Sequence, residues 1–397
     1  SGIDDIVLVN KIPSRKHKER LQNSGFQLPQ FELINDGKNL IPDHSELLSR
    51  KLGGFRPWAV TEESLRIIRR IGDSSKVGDN KKLHGQFNDV EDELKNIYSK
   101  QTGNNILNKF LESDHCDGFR DLMIEKSQIG KTVMSVDKVM EQVNSLKSEG
   151  FKKFVVKCPF GAAGGNQLRL WDDPITQRQI NWIENAIRVQ GKVIIEPWHE
   201  RVVDFSIQME IKTKSHIAAG LTRLKNDHRG HFEGIQFPFR LALAQHPKLA
   251  KFINYNRKPG SIKNVLSGLV EFVNHEFSTY KYKGPLGIDA YFYTDPDGEL
   301  RLRPLVEINS RYTMGRLALE IGAQVQGGKI SEFKLYTRSQ IKTKGYSTFC
   351  EFDKVMSQQN PIVFSGNQNP QISSGYISLN DPEAASSILA TLTVNAG

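Results

Sequence analysis

Two carboxylates, an amide and a guanidinium lie close together late in this 397-residue chain. Asp289 sits in the apolar run Gly287-Ile288-Asp289-Ala290-Tyr291-Phe292, and Glu307, Asn309 and Arg311 alternate along Glu307-Ile308-Asn309-Ser310-Arg311. Both runs read as strands, and Asp295-Pro296-Asp297-Gly298 between them reads as a turn. The spacing therefore predicts an antiparallel hairpin that gathers the four groups at strand ends. Hard oxygen donors gathered this way, with little cysteine or histidine nearby, suit Mg²⁺ shared with a substrate's phosphates. A guanidinium beside them can grip a carboxylate or a phosphate bidentately. The plain alternative for Arg311 is a surface ion pair with Glu307 or Glu320.

A nucleotide would need further cations and backbone that phosphates can approach closely. Lys157 ends the apolar run Phe154-Val155-Val156-Lys157 directly before the small-residue loop Gly161-Ala162-Ala163-Gly164-Gly165. Such a loop lets backbone N–H groups reach an anion; a glycine-rich hairpin turn reads equally well. The spacing fits neither a Walker phosphate loop nor a dinucleotide fingerprint, because a strand follows instead of a helix. Glu196-Pro197-Trp198 ends another apolar run, and Asp204 follows eight residues after Glu196. Acids at strand ends can accept from an adenine amino group or ribose hydroxyls, or can simply be surface charges.

These groups need a scaffold, and the hydrophobic pattern supplies one. Residues 5–10 and 31–34 read as strands around a charged helix, a small α/β opening. A helix follows from Thr61 as N-cap to Gly72. The polar stretch 73–105 predicts a boundary, giving an N-terminal domain over 1–104. Over 105–199 the order is helix from Ser135 to Gly150, strand, glycine-rich turn, strand, helix to about Val189, and strand. Over 200–330 come long strands, a helix from Ser261 to about Phe277, the hairpin and a helix around 316–321. The segment 331–397 is unassigned, with short apolar runs and a last helix expected near Pro382–Leu389.

Composition excludes several classes. No apolar run reaches the ~18 residues of a transmembrane helix, and the N-terminus lacks a signal peptide's pattern. Ser1-Gly2 in place of methionine reads as a tag scar. The three scattered cysteines suggest no disulfide framework and point to a reducing cytoplasm. His228-x-x-His231 stands in a polar turn without cysteines and is a weak zinc candidate. A net charge of +9 suits anionic substrates, nucleotides or nucleic acid. The basic run Lys11 to Arg20 has no interleaved aromatics, so a solvated helix face is favoured and nucleic acid disfavoured.

Lysine-ended strand, glycine loop, acidic strand end and an Asp…Glu-x-Asn-x-Arg hairpin occur in an order that resembles the ATP-grasp superfamily of carboxylate–amine ligases, best over 105–325. The resemblance implies an α/β and α+β architecture: two α+β lobes clasping ATP, preceded by a small α/β domain. It implies that Lys157 binds phosphate, that the Gly161–Gly165 loop closes over the phosphates, and that another lysine upstream helps. Lys109 fits that place best, with Lys126 and Lys131 as weaker fits. It further implies that Glu196, Pro197 and Trp198 form the adenine hinge and that Asp204 binds ribose. Asp289, Glu307 and Asn309 become ligands of two Mg²⁺ ions, Glu307 bridging them, and Arg311 faces the reacting carboxylate or phosphate. The activity implied is ATP- and Mg²⁺-dependent amide-bond formation through an acyl phosphate, on an amino acid or short peptide. Two alternatives stay open: an ATP-grasp small-molecule kinase, and a non-catalytic nucleotide- or nucleic-acid-binding protein. No motif in 35–105 or 225–260 names the carboxylate or the amine, and a homodimer is compatible with the sequence.

Overall fold

The computed structural model describes residues 3–34, 41, 45–87, 93–161, 166–212, 216–227, 230–244, 246, 249, 262–366 and 370–395. The chain forms two compact units, one of Glu93–Phe232 with Leu243–Arg316, the other of Ser1–Asp92, Glu233–Ala242 and Leu317–Gly397.

All the residues singled out above for chemistry belong to the first of these units. It opens with α1 (Lys100–Glu112), whose N-cap Ser99 accepts from the Gln101 N–H. β1 (Lys131–Val133) and α2 (Val136–Ser148) follow; Ser135 caps α2 and Gly150, at φ +92°, turns the chain after it. Then come β2 (Phe154–Lys157), β3 (Gln167–Leu170), α3 (Gln177–Gln190) and β4 (Val193–Pro197). The strands make a four-stranded antiparallel sheet in the order β1-β4-β2-β3. Alternation along the strands divides its faces. Phe154, Val156, Val193 and Ile195 pack with Val139, Val143 and Leu146 of α2 and Ile183 and Ala186 of α3. Lys157 and Glu196 therefore point out of the opposite face.

A second antiparallel sheet is built from β5 (Glu200–Ile211), β6 (His216–Asn226), β7 (Gly284–Thr294) and β8 (Leu300–Asn309), in the order β8-β7-β5-β6. Phe205, Ile207, Ile288, Ala290 and Phe292 are all buried, and α4 (Ile262–Thr279) contributes Val265, Leu269, Val273 and Phe277 to the core. Both sheets, with the helices that pack on them, belong to one compact unit. Helix α1 runs unbroken through residues 104 and 105, and the compact units divide the chain at Asp92 and Glu93 instead.

In the other unit, parallel strands Ile6–Val9 and Gln30–Leu33 flank the helix Arg15–Asn23. The helix Glu62–Ser74 is held by a Thr61–Ser64 capping box. The C-terminal segment completes this unit. Strands Ser331–Thr337, Ile388–Val394 and Ile372–Ser378 pair antiparallel, with helices Arg338–Thr343 and Phe349–Gln359 beside them. Arg20 reaches Asp353 at 2.7 Å and Ser357 at 2.7 Å, and the Ser14 N–H donates to Asp381 at 2.7 Å. The basic run is thus partly an internal anchor and not wholly a solvated face. The helix expected near 382–389 is not formed: Asp381 caps a turn by accepting from the Glu383 N–H, and the chain enters a strand. Ile388, Thr391, Thr393 and Val394 are β-branched, and pairing on both sides suits them better than a helix.

Candidate active site

The hairpin forms and is antiparallel. Asp289 faces Glu307 and Gly287 faces Asn309 across β7 and β8. Two residues beyond this pair the register shifts, so that Tyr291 faces Arg303 and Pro304 to Val306 bulge opposite Ala290. Pro304 is tolerated because β8 is an edge strand of this four-stranded part and the bulge needs no N–H there. Asn309 Nδ2 donates to Asp289 Oδ2 at 3.0 Å, and its Oδ1 accepts from Arg311 Nη2 at 2.8 Å. Arg311 also donates to the Tyr312 carbonyl at 3.1 Å. A polar row on β5 supports the pair: Thr313 donates to Gln208 at 2.6 Å and Gln208 to Ser206 at 2.7 Å. A side chain at Gly287 would meet Thr313 Cγ2 at 2.8 Å, so glycine is needed for this close packing. Burial first, and the Glu307 charge second, push Asp289 up to about 6.

Lys157 and Glu196 form a buried ion pair on the face of the first sheet turned away from α2 and α3. The other Glu196 oxygen accepts from Arg303 Nη2 at 2.7 Å, and Arg303 is wholly buried. Burial alone would raise the Glu196 carboxyl, but the Arg303 and Lys157 charges outweigh it and hold Glu196 well below the usual range. Behind Arg303 lies a neutral network. Tyr291 Oη contacts Arg303 at 3.3 Å and His199 Nδ1 at 2.6 Å, while Gln128 contacts His199 at 3.2 Å and accepts from Tyr293 at 3.0 Å. Burial, with Arg303 adding to it, keeps the His199 imidazole far below its ordinary value.

The structure gathers most, but not all, of the expected residues. Lys109 is turned away: it is exposed and pairs with Glu276 at 2.7 Å. Lys100, on the same helix, instead contacts Glu307 at 2.6 Å and the Gly161 carbonyl at 2.8 Å. Their separation of nine positions is about two and a half turns, which puts the two lysines on opposite sides of α1. Lys126 pairs with Glu112 in solvent, and Lys131 is exposed on β1. Glu196 is occupied by its two cations, and the Trp198 N–H donates to the Lys153 carbonyl at 2.8 Å. Pro197 pairs opposite Phe154 at the end of β4. Asp204 holds Arg201 at 2.9 Å, and the Arg201 guanidinium lies over the rings of Trp198 and Tyr291, 5.1 and 4.5 Å from their centres. Gly161 is described, but Ala162, Ala163, Gly164 and Gly165 lie outside the described residues, as does His228; His231 binds Asp227 at 3.0 Å.

Sequence reasoning passed over Lys100 and Arg303. Arg303 had a readable signal, a charge inside the apolar run Leu302 to Leu305, which demands a buried partner. Lys100 had little, since its role depends on how the first turn of α1 meets β8 and the loop after β2. Tyr98 and Ser310 make that junction, with Tyr98 donating to the Ser310 carbonyl at 3.3 Å and Ser310 to the Ile97 carbonyl at 3.0 Å.

No family model matches the chain. A ligase described as [butirosin acyl-carrier protein]–L-glutamate ligase, from Niallia circulans, is 26% identical over 182 residues, 46% of this chain. The chain spans 37% of that relative's length. Among solved structures, an N5-carboxyaminoimidazole synthetase from Staphylococcus aureus, complexed with ADP, is similar at TM-score 0.48 and 9% identity, covering 99% of this chain and 93% of that one. A biotin carboxylase from Campylobacter jejuni gives TM-score 0.47 at 10% identity, over 98% and 81% of the two chains. The chain carries a lysine-ended strand and an acidic strand end on one sheet and an Asp…Glu-x-Asn-x-Arg hairpin on the other.

Proposed function

We propose that the protein is an ATP- and Mg²⁺-dependent carboxylate–amine ligase that forms an amide bond on an amino acid or short peptide. The observation that carries this reading is the facing pair Asp289 and Glu307, bridged by Asn309 to Arg311. The donor set fits Mg²⁺. Two carboxylates and an amide are too few for an all-protein cage but suit an ion completed by phosphate oxygens. The Lys100 ammonium at 2.6 Å from Glu307 indicates that the pair holds positive charge. Asp289, Glu307 and Asn309 would hold the ion, which would supply charge neutralisation at the transferring phosphate.

The chain's own residues account for the rest. Lys157 and Lys100 would neutralise the phosphate chain from two sides, and Arg311 would orient the substrate carboxylate. That carboxylate attacks the γ-phosphorus of ATP and releases ADP; the amine then displaces phosphate from the acyl phosphate and loses a proton. Closure of the glycine loop would exclude water, which would otherwise hydrolyse the acyl phosphate.

The test is ADP release from Mg·ATP across amino acids, L-glutamate among them, and dipeptides, singly and in pairs. A ligase requires both a carboxylate and an amine for sustained release. Release with a hydroxyl compound alone would favour a kinase. No nucleotide turnover under any pairing would count against the enzyme reading.

A further inference from the structure

A buried lysine held one-to-one by a glutamate carries no net charge to offer an anion. Lys157 and Glu196 make such a pair, and their side chains are 11% and 4% exposed. Left to themselves they would satisfy each other, and a phosphate arriving at Lys157 would have to displace Glu196. The wholly buried Arg303 changes this count. It donates to the second Glu196 oxygen at 2.7 Å, so one carboxylate is shared between two cations. Burial lowers the Lys157 ammonium and the Glu196 charge opposes this; with all three groups ionised they sum to a single positive charge. Among the described residues beside them, His199 and Tyr291 are neutral, and Arg201 is matched by Asp204 at 2.9 Å. An isolated net charge in a buried site is costly, and an anion relieves it.

We infer that Arg303 is a positioning residue that takes a share of Glu196 and so frees Lys157 to bind a polyphosphate. The geometry suits this role. Arg303 is anchored by Tyr291 at 3.3 Å and the Leu305 carbonyl at 3.4 Å, directly before the bulge of the strand that also carries Glu307 and Asn309. The same strand would thereby set the metal ligands and the cation opposite them. The identification of the anion as a nucleotide's polyphosphate rests on the function proposed above. A buried positive charge able to take an anion rests on the triad alone.

Charge rescue tests it, with binding of ADP, inorganic tripolyphosphate and adenosine measured by calorimetry. Arg303→Met should weaken ADP and tripolyphosphate by at least about tenfold, the scale of one lost charge-assisted contact, and leave adenosine within about twofold. Arg303→Met combined with Glu196→Gln removes the other two charges of the triad and restores one net positive charge, so tripolyphosphate affinity should return to within about threefold of wild type. Arg303→Lys should retain binding. A purely structural role predicts that the double variant binds no better than Arg303→Met and that adenosine weakens equally; either result overturns the proposal. Should Arg303→Met fail to fold, Glu196→Gln alone decides: tripolyphosphate must bind as tightly as in wild type or tighter, and a tenfold loss overturns the inference. Wild-type protein that binds tripolyphosphate but turns over no ATP would sink the ligase reading and leave this one standing. Wild-type protein that binds neither tripolyphosphate nor ADP overturns both.

Discussion

Asp289→Asn bears most directly on the metal pair. Burial and the facing Glu307 carboxylate move Asp289 from an ordinary 3.8 up to about 6. That is about two pH units at about 1.4 kcal/mol each, or about 3 kcal/mol of folding free energy. The sign is that of a raised group: its favourable contribution is complete below pH 3.8 and is lost as pH rises through about 6. Above pH 6 the folded protein therefore holds a carboxylate that would rather be protonated. Asparagine removes this cost but weakens the hydrogen bonds that Asn309 and Ser206 donate to the carboxylate. The net expectation at pH 8 without metal is a gain of about 1–3 kcal/mol, shrinking to nothing near pH 4. Urea denaturation between pH 4.5 and 8 in EDTA, followed by tryptophan fluorescence, reads it well. Trp171, Trp182 and Trp198 all lie in the unit that contains Asp289. Mg²⁺ at a hundredfold excess over its Kd should stabilise wild type by about 2.7 kcal/mol and leave the variant unmoved. A wild-type profile flat from pH 4.5 to 8, or equal Mg²⁺ stabilisation of both proteins, would refute the reasoning.

Three further outcomes follow from single contacts. Lys100→Met removes the cation that sits 2.6 Å from Glu307; stability without metal should fall by about 1 kcal/mol, while calorimetry should show Mg²⁺ alone binding more tightly because no ammonium competes. Lys109→Ala breaks only the exposed pair with Glu276, so denaturation midpoints should shift by less than about 1 kcal/mol and ADP binding should not change. Gly130→Ala would place a methyl group 2.6 Å from both Asn104 Nδ2 and Ile194 Cγ2 and 3.1 Å from Glu196 Oε2. Urea denaturation should show a loss of about 1–3 kcal/mol from this overpacking, and weaker tripolyphosphate binding should accompany it as Glu196 shifts.

The contrast between Lys109 and Lys100 shows what the linear sequence could and could not carry. Strands and helices were legible wherever one residue pattern meets one neighbour: the antiparallel hairpin around Asp295–Gly298, the Ser135 and Thr61 caps, and the strands β2 and β4 all follow from period, turn and capping chemistry. The helix expected near 382–389 gives way to a turn and the start of strand Ile388–Val394, because Ser331–Thr337 and Ile372–Ser378 supply pairing that overrides local helix tendency. Site residues follow the same division. Asp289, Glu307 and Asn309 share a hairpin, so their proximity is a local matter of strand pairing. Lys100 meets Glu307 across 207 residues, through a junction that Tyr98 and Ser310 hold shut. Motif spacing measures separation along the chain, and on a helix it is blind to rotation. A lysine nine residues too late is therefore as plausible by count as the right one, yet it points the other way. Glu196 differs again. Its strand end was read correctly, but its partner Arg303 lies 107 residues on, and only that contact turns an expected adenine acceptor into the shared anion between two buried cations. Where a buried charge finds its counter-charge decides its role, and that pairing is a property of the packed sheets.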